Sequence, residues 1–93
     1  MNDPIIEKAK EARKALEELP EVKEYLKLKE LLENDESLKQ MRQDIARLKA
    51  EGKIQERDNL LKIYHFHPLV NNFYLAKEEV EAILKSVQSL LQD

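Results

Sequence analysis

The chain of 93 residues carries a net charge of −3 and contains one glycine, no tryptophan and no cysteine. The lack of cysteine excludes disulfides, thiolate metal sites, cysteine-held clusters and a cysteine nucleophile. Charged residues make up 38% of the chain, and it is rich in glutamate, lysine, leucine and alanine, which are good helix formers. Because strands and hairpins favour glycine and β-branched runs that are scarce here, we predict an all-α fold.

The length is typical of one domain with a small core, since such a chain buries only somewhat over about 60% of the surface that its unfolded form exposes. We therefore expect residues 1–93 to form a single bundle of four to five helices. No apolar run approaches the roughly 20 residues of a membrane span, and the N-terminus is neither basic nor apolar enough for a secretion signal. These features predict a cytoplasmic protein without a membrane partner.

The first third of the chain predicts two helices separated by a proline. Asp3 can cap the first helix, with Pro4 in its first turn. Apolar residues then repeat at steps of 4, 3, 4 and 3 positions: Ile5, Ala9, Ala12, Leu16 and Leu19. The small residues in this stripe would let a neighbouring helix approach closely. Pro20 would cost about 3 kcal/mol inside a helix and very little as the first residue of a new one, so we predict a break before Pro20 and a second helix over 20–33.

Short polar residues and the single glycine mark the ends of a third helix. Residues 34–37, which include Asp35, predict a turn followed by a cap. The inner face of the helix is then formed by Leu38, Met41, Ile45 and Leu48. Gly52 stands where a helix C-terminus needs a left-handed residue. A shorter fourth helix should run from about Ile54 to Tyr64 and end before Pro68, because the residue preceding a proline avoids the helical region.

The last helix is the most regular element and should run from Pro68 to Leu91. Its apolar residues follow steps of 4, 3, 4, 3, 4 and 3 positions: Leu69, Phe73, Ala76, Val80, Ile83, Val87 and Leu90. Three further residues widen the stripe, as expected for a helix that packs against several neighbours: Val70, Leu84 and Leu91. At about 1.5 Å per residue the helix would be roughly 35 Å long.

The pattern of reactive side chains predicts no catalytic site, no metal site and no cofactor. His65 and His67 are two positions apart and so do not share a helix face, whereas helical metal sites use spacings of three or four. The serines lack a nearby base and a glycine-rich oxyanion turn. The sequence leaves the role of the two histidines open.

Two groups of residues are candidates for contacts with a partner. Phe66 and Tyr74 lie close to the start of the last helix, where they either pack internally or form an aromatic contact patch, since aromatic side chains concentrate at interfaces. Residues 37–62 carry a net charge of +3, which either forms a solvated face or meets an acidic or phosphate-bearing partner. The bases that we single out there are Arg42, Arg47 and Lys49. Direct nucleic-acid binding is disfavoured, because dedicated binders are far more basic overall.

The order of these features resembles the YlbF/YmcA/YheA family of small bacterial regulators over nearly the whole chain. The resemblance lies in the segment 20–25 (Pro-Glu-Val-Lys-Glu-Tyr), the turn 31–37 (Leu-Leu-Glu-Asn-Asp-Glu-Ser), the helix that follows it, and the segment 68–76 (Pro-Leu-Val-Asn-Asn-Phe-Tyr-Leu-Ala). The positions that match recurring family residues, and that we interpret as structural, are Pro68, Leu69, Val70 and Phe73. Pro20, Asp35 and Gly52 complete the expected structural set.

The resemblance implies a non-catalytic regulator from bacteria of the Gram-positive type. Such relatives associate with themselves or with paralogues, influence competence, sporulation and biofilm formation, and work with the endoribonuclease that matures messenger RNA. Some relatives hold iron–sulfur clusters through cysteines, a property that this cysteine-free chain does not share. Our main hypothesis is a regulatory adaptor that acts through protein–protein contacts as a homo- or hetero-oligomer. The alternatives are an RNA-binding accessory protein that uses residues 37–62 and a structural self-assembling helical bundle.

Overall fold

The computed structural model describes residues 3–91, and in that range the chain forms five helices and no strand. Their bounds are α1 Pro4–Glu17, α2 Pro20–Asn34, α3 Glu36–Ala50, α4 Ile54–Phe66 and α5 Pro68–Leu91. The predicted all-α fold with a long C-terminal helix is therefore confirmed. The side chain of Leu91, which we expected to widen the apolar stripe of α5, lies outside the described part.

Local chemistry sets the first helix boundaries as predicted. The carboxylate of Asp3 accepts a hydrogen bond from the backbone N–H of Ile5 at 2.9 Å, which satisfies one of the free donors at the start of α1. Pro20 is the first residue of α2, where its missing N–H is not needed. Gly52 follows α3 with a φ of 76°, in the left-handed region that glycine adopts without strain.

Two further helices begin with a side-chain cap. The Asp35 carboxylate accepts hydrogen bonds from the backbone N–H of Leu38 at 3.0 Å and from the Ser37 hydroxyl at 2.8 Å. The ring Nδ1 of His67 accepts the backbone N–H of Leu69 at 3.1 Å and caps α5 in the same way. The cap by His67 gives this histidine the structural role that the sequence left open.

The core lies where α2, α3, α4 and α5 meet. Helix α2 packs along α5, α3 packs along α4, and α2–α3 and α4–α5 contacts join the two pairs. Four buried side chains form the centre: Leu32, Leu38, Tyr64 and Val70. Met41, Ile45, Leu69 and Phe73 pack around them. The inner residues predicted for the third and fifth helices thus include most of the core.

Helix α1 stands apart from this core. Its backbone comes close to that of α2 and not to that of the other helices, and none of its residues, all of which are described, is buried. The stripe that we expected to meet a neighbouring helix, including Ala9 and Ala12, is exposed along most of its length. Sequence periodicity placed this stripe correctly on one face, but within residues 3–91 no helix covers Ile5, Ala9 or Ala12.

The molecule is elongated as a result. Its principal extents are 53 × 27 × 24 Å and its radius of gyration is 18.0 Å, whereas a compact chain of this length would have a radius of about 12 Å. The accessible surface is 7615 Å², against about 5,600 Å² for a typical monomer of this mass. The chain therefore exposes about 2,000 Å² more than a compact monomer would.

Candidate protein-interaction surfaces

An apolar groove opens at the corner between α4 and α5. We call it the Phe66 groove; it has a volume of about 770 Å³ and is lined by Asp58, Leu61, Lys62, His65, Phe66, Pro68, Asn71 and Asn72. The side chain of Phe66 is 85% exposed at this groove. A phenyl ring so far out of the protein leaves its apolar surface in water, which is unfavourable until another surface covers it.

The position of Phe66 follows from helix geometry. Tyr64, two residues earlier on α4, is buried in the core, and two positions on a helix are about 200° apart. Phe66 must therefore point away from the core. The helix cannot continue and bend its last turn inward, because His67 is extended and Pro68 starts α5, as expected for a residue that precedes a proline.

The Phe66 groove is lined by polar as well as apolar side chains. Asp58 and Lys62 supply one charge of each sign, and Asn71 and Asn72 supply amide groups that both donate and accept hydrogen bonds. A surface that combines apolar and polar side chains in this way is the usual composition of a protein-binding patch.

Tyr74, the other predicted aromatic contact, belongs to a row of rings that shares His65 with the Phe66 groove. Tyr25 stacks on Phe73 with ring centroids 5.5 Å apart, and Phe73 meets Tyr74 edge-on at 5.4 Å. The row continues through His65, whose ring lies 5.1 Å from that of Tyr74 and 5.6 Å from that of Tyr64. Tyr74 therefore lies in the middle of the row, between Phe73 and His65, with 39% of its surface exposed.

Arg42, predicted as a partner contact, is engaged inside the chain. Its guanidinium donates to the Tyr64 hydroxyl at 3.2 Å and to the backbone carbonyl of Leu32 at 3.4 Å. The carbonyl lies in the last turn of α2, where it also accepts the backbone N–H of Asp35 at 3.4 Å. Arg42 is half-buried and joins α2, α3 and α4.

The other predicted bases lie on the outside of α3. Arg47 pairs with Glu51 at 3.3 Å and with Asp44 at 3.8 Å, and Lys49 is exposed. The ammonium group of Lys53, together with Arg47, lowers the pKa of the Glu51 carboxyl from its ordinary value. These acids lie within the 37–62 segment and are already counted in its net charge of +3, so the ion pairs leave that charge unchanged and engage Arg47 and Lys53 within the chain.

A second apolar surface lies at the opposite end of α5. We call it the α1–α5 cleft; it is a cavity of about 240 Å³ whose apolar walls are Leu16, Val22, Tyr25, Leu26, Val80, Ile83 and Leu84. Beyond the cavity the two helices continue without further cover. Ile5 is 78% exposed on α1 and Leu90 is 77% exposed on α5. Sequence analysis found both stripes but did not show that they would remain open together.

Within residues 3–91 no group of three or more histidines or acidic residues is arranged to hold a metal ion. In the same range, no helix combines the length and the apolar character needed to cross a bilayer.

The fold and its exposed apolar surfaces define an elongated all-α protein with surfaces of the kind that other proteins contact. The family model of Com_YlbF, described as "Control of competence regulator ComK, YlbF/YmcA", matches residues 5–93. The chain belongs to this family, which confirms the resemblance found in its sequence and gives it a role related to the control of competence. Comparisons with the curated proteins and with the solved structures give no significant match.

Proposed function

We propose that this protein is a cytoplasmic regulatory adaptor in the control of competence, and that it acts by binding other proteins without catalysing a reaction. The observation that carries the proposal is the Phe66 groove, in which an aromatic side chain 85% exposed stands beside apolar walls. Membership of a family of competence regulators supports the regulatory role.

The energetics of the groove favour a protein partner. Covering a phenylalanine side chain contributes about 1.5 to 3 kcal/mol of binding free energy, and aromatic residues are typical of the few side chains that dominate an interface. Asp58 and Lys62, which also line the groove, add little affinity in water. They favour a partner with complementary charges and disfavour others.

We propose two kinds of partner. One is a copy of this chain or a paralogue, and the other is the endoribonuclease assembly that processes messenger RNA. The family match supports the link to competence, and the sequence resemblance extends the proposal to sporulation and biofilm formation. The adaptor would then control competence by determining which proteins come together.

The experiment replaces Phe66 with serine in the full-length chain and compares it with Ile63→Ser. Ile63 is also on α4, is 57% exposed and does not line the groove. Ile63→Ser therefore removes an exposed apolar side chain from α4 outside the groove. The tagged proteins are expressed in the host bacterium, partners retained on each are quantified by mass spectrometry, and transformation frequency is measured.

We expect the wild-type protein and Ile63→Ser to retain the endoribonuclease assembly or a paralogue and to support normal transformation. Phe66→Ser should retain at least about tenfold less partner than the wild type, which is equivalent to 1.4 kcal/mol of binding free energy. It should also lower the transformation frequency. Equal retention by all three proteins would show that the groove is not the contact surface. Normal transformation in the absence of the protein would refute the regulatory role.

A further inference from the structure

His67 is the one residue that joins α4 to α5. Helix α4 ends at Phe66 and α5 begins at Pro68, so the backbone of His67, with φ −62° and ψ 129°, sets the angle at which the two helices meet. The walls of the Phe66 groove come from both helices and include Leu61 and Phe66 of α4 and Pro68, Asn71 and Asn72 of α5. A change in the conformation of His67 therefore moves one wall of the groove relative to the other.

The side chain of His67 holds this corner through one hydrogen bond. Its Nδ1 accepts the backbone N–H of Leu69 at 3.1 Å, while its carbonyl accepts the backbone N–H of Asn71 at 2.9 Å. The side-chain bond requires a neutral imidazole, because a protonated imidazole donates from both nitrogens and accepts at neither. The cap of α5 is therefore lost when His67 takes up a proton, and histidine is the side chain whose charge ordinarily changes between about pH 5 and pH 8.

A carboxylate from the α2–α3 turn lies within electrostatic reach of His67. Hydrogen bonds from the Leu38 N–H and the Ser37 hydroxyl are the main reasons that the pKa of the Asp35 carboxyl is lowered, and the positive charge of His67 lowers it further. The same attraction acts on the imidazole, because the interaction of two opposite charges stabilises both of them. A protonated His67 is therefore drawn toward Asp35 as it leaves the cap.

The other charged groups at this corner are bases and favour the same movement. Helix α4 carries Lys62 and His65, α3 holds Arg42 against Tyr64, and the first turn of α5 contains no acidic residue. The helix dipole also places partial positive charge at the N-terminus of α5. A proton on the imidazole is thus unfavourable where the ring caps α5 and more favourable beside the carboxylate.

The loss of the cap and the attraction to Asp35 offset each other. A lost side-chain cap shifts a helix equilibrium by about fivefold, and an exposed pair of opposite charges contributes up to about the same amount. The two positions of the His67 ring are therefore close in free energy. Tyr64 and Val70 are buried on either side of His67, so α4 and α5 stay attached to the core while the residue between them changes conformation.

We propose that His67 is a pH-dependent switch of the Phe66 groove. The neutral ring caps α5 and holds the groove in the shape that binds a partner, whereas the protonated ring releases the Leu69 N–H, turns toward Asp35 and loosens the α4–α5 corner. Binding at the groove then weakens as the pH falls. This effect on binding rests on the proposed function, but the movement of the corner is a property of the chain itself.

The test uses the full-length wild-type protein and two variants of His67. His67→Asn retains a capping residue that does not titrate, whereas His67→Ala removes both the cap and the titration. His65 is the other histidine of the chain and is present in all three proteins, so its titration is common to them. Each protein is studied at about pH 7.5, where an ordinary histidine is mostly neutral, and at about pH 5.5, where it is mostly charged.

Two readouts report on the protein without a partner. The first is the protection of the Leu69 amide against hydrogen exchange, and the Leu38 amide is the matched control, because it is capped by a carboxylate that stays charged at both pH values. The second is fluorine NMR after labelling with 4-fluorophenylalanine. The chain has two phenylalanines, so Phe66 reports on the groove and Phe73, which packs against the core, serves as its control.

We expect the protection of Leu69 in the wild type to fall at least about threefold at the lower pH, the effect of losing a modest cap, while that of Leu38 is unchanged. The Phe66 signal should move with it and the Phe73 signal should stay. His67→Asn should keep its protection at both pH values. His67→Ala should lack it at both, with its Phe66 signal already displaced at the higher pH, which separates loosening of the corner from a direct effect of charge on the fluorine.

A third readout connects the switch to binding. The tagged wild-type protein and His67→Asn are compared for the partner that each retains in a Phe66-dependent manner. We expect the wild type to retain at least about threefold less partner at the lower pH, relative to His67→Asn. Titration of the partner affects both proteins equally and cancels in this ratio.

The inference would be overturned by equal protection of Leu69 at both pH values in the wild type, or by a Phe66 signal that moves equally in the wild type and in His67→Asn. The proposed function is tested separately. Partner binding through Phe66 that is independent of pH would refute the switch and leave the adaptor function standing. The expected changes at Leu69 and Phe66 in a protein that retains no partner would refute the adaptor and leave the movement of the corner established.

Discussion

The guanidinium of Arg42 lies against the phenol ring of Tyr64, with its central carbon 6.0 Å from the ring centroid and one N–H donated to the hydroxyl at 3.2 Å. The two residues are 22 positions apart and join α3 to α4. A second donation to the Leu32 carbonyl extends the contact to α2. One base from the positively charged middle of the chain thus joins three helices around the core.

Arg42→Ala should therefore destabilise the protein. We expect it to lower the free energy of unfolding by about 1 to 2 kcal/mol, through lost hydrogen bonds and lost packing of its stem. Arg47→Ala, at an exposed ion pair, should change stability by less than about 0.5 kcal/mol. Urea unfolding of both variants measures the difference. Unchanged stability of Arg42→Ala together with loss of RNA binding at low salt would instead favour the RNA-binding alternative.

The helix boundaries were predictable because each depends on residues close together in the sequence. Pro20, Gly52 and Pro68 act through their own backbone geometry, and Asp35 acts through neighbouring amides. Helix α4 extends two residues past the predicted Tyr64, because the restriction imposed by Pro68 acts on His67 and leaves Phe66 free to be helical.

The surfaces were less predictable, because they depend on which helices meet. Spacing showed that α1 has an apolar face, but not that α5 would leave it uncovered. The contact of Arg42 with Tyr64 also joins distant parts of the sequence, so a local pattern of charge made Arg42 resemble a surface base. The cap by His67 was missed because histidine is not among the usual capping residues. Its position directly before Pro68 was the available signal.

The centre of the core should respond strongly to a smaller side chain. Leu38 is fully buried among α2, α4 and α5 residues, so Leu38→Ala should cost about 2 to 5 kcal/mol through lost burial and the cavity that remains. Leu75→Ala, at a position 52% exposed, should cost far less. Thermal and urea unfolding provide the comparison, and similar losses in the two variants would contradict the described packing.

Gly52 provides a test of backbone strain alone. Its φ is 76°, and a Cβ atom built there would meet no atom within 4 Å. Gly52→Ala should therefore be destabilising by about 1 to 2 kcal/mol from the left-handed conformation, with no contribution from a clash. Gly52→Asn should cost less, because asparagine tolerates this region better. An alanine variant as stable as the wild type would show that the α3–α4 turn adopts another conformation.

The cap at Asp35 should make stability depend on pH. The backbone N–H of Leu38 and the Ser37 hydroxyl both donate to its carboxylate and hold the pKa of Asp35 below its ordinary value. A lowered pKa in the folded state means that the charged form stabilises the fold. The contribution is therefore fully present above the pKa of the unfolded chain and is lost as the pH falls through the lower pKa of the folded state.

Asp35→Asn isolates this contribution, because the amide oxygen of asparagine accepts the same hydrogen bonds and does not titrate. We expect the free energy of unfolding of the wild type to fall more steeply than that of Asp35→Asn between about pH 5 and pH 2, the interval in which a carboxylate with a lowered pKa takes up its proton. Urea unfolding at a series of pH values measures both curves. Glu51 and the other carboxylates are common to the two proteins, so their titration cancels in the difference. Parallel curves over the whole interval would show that the charge of Asp35 does not stabilise α3.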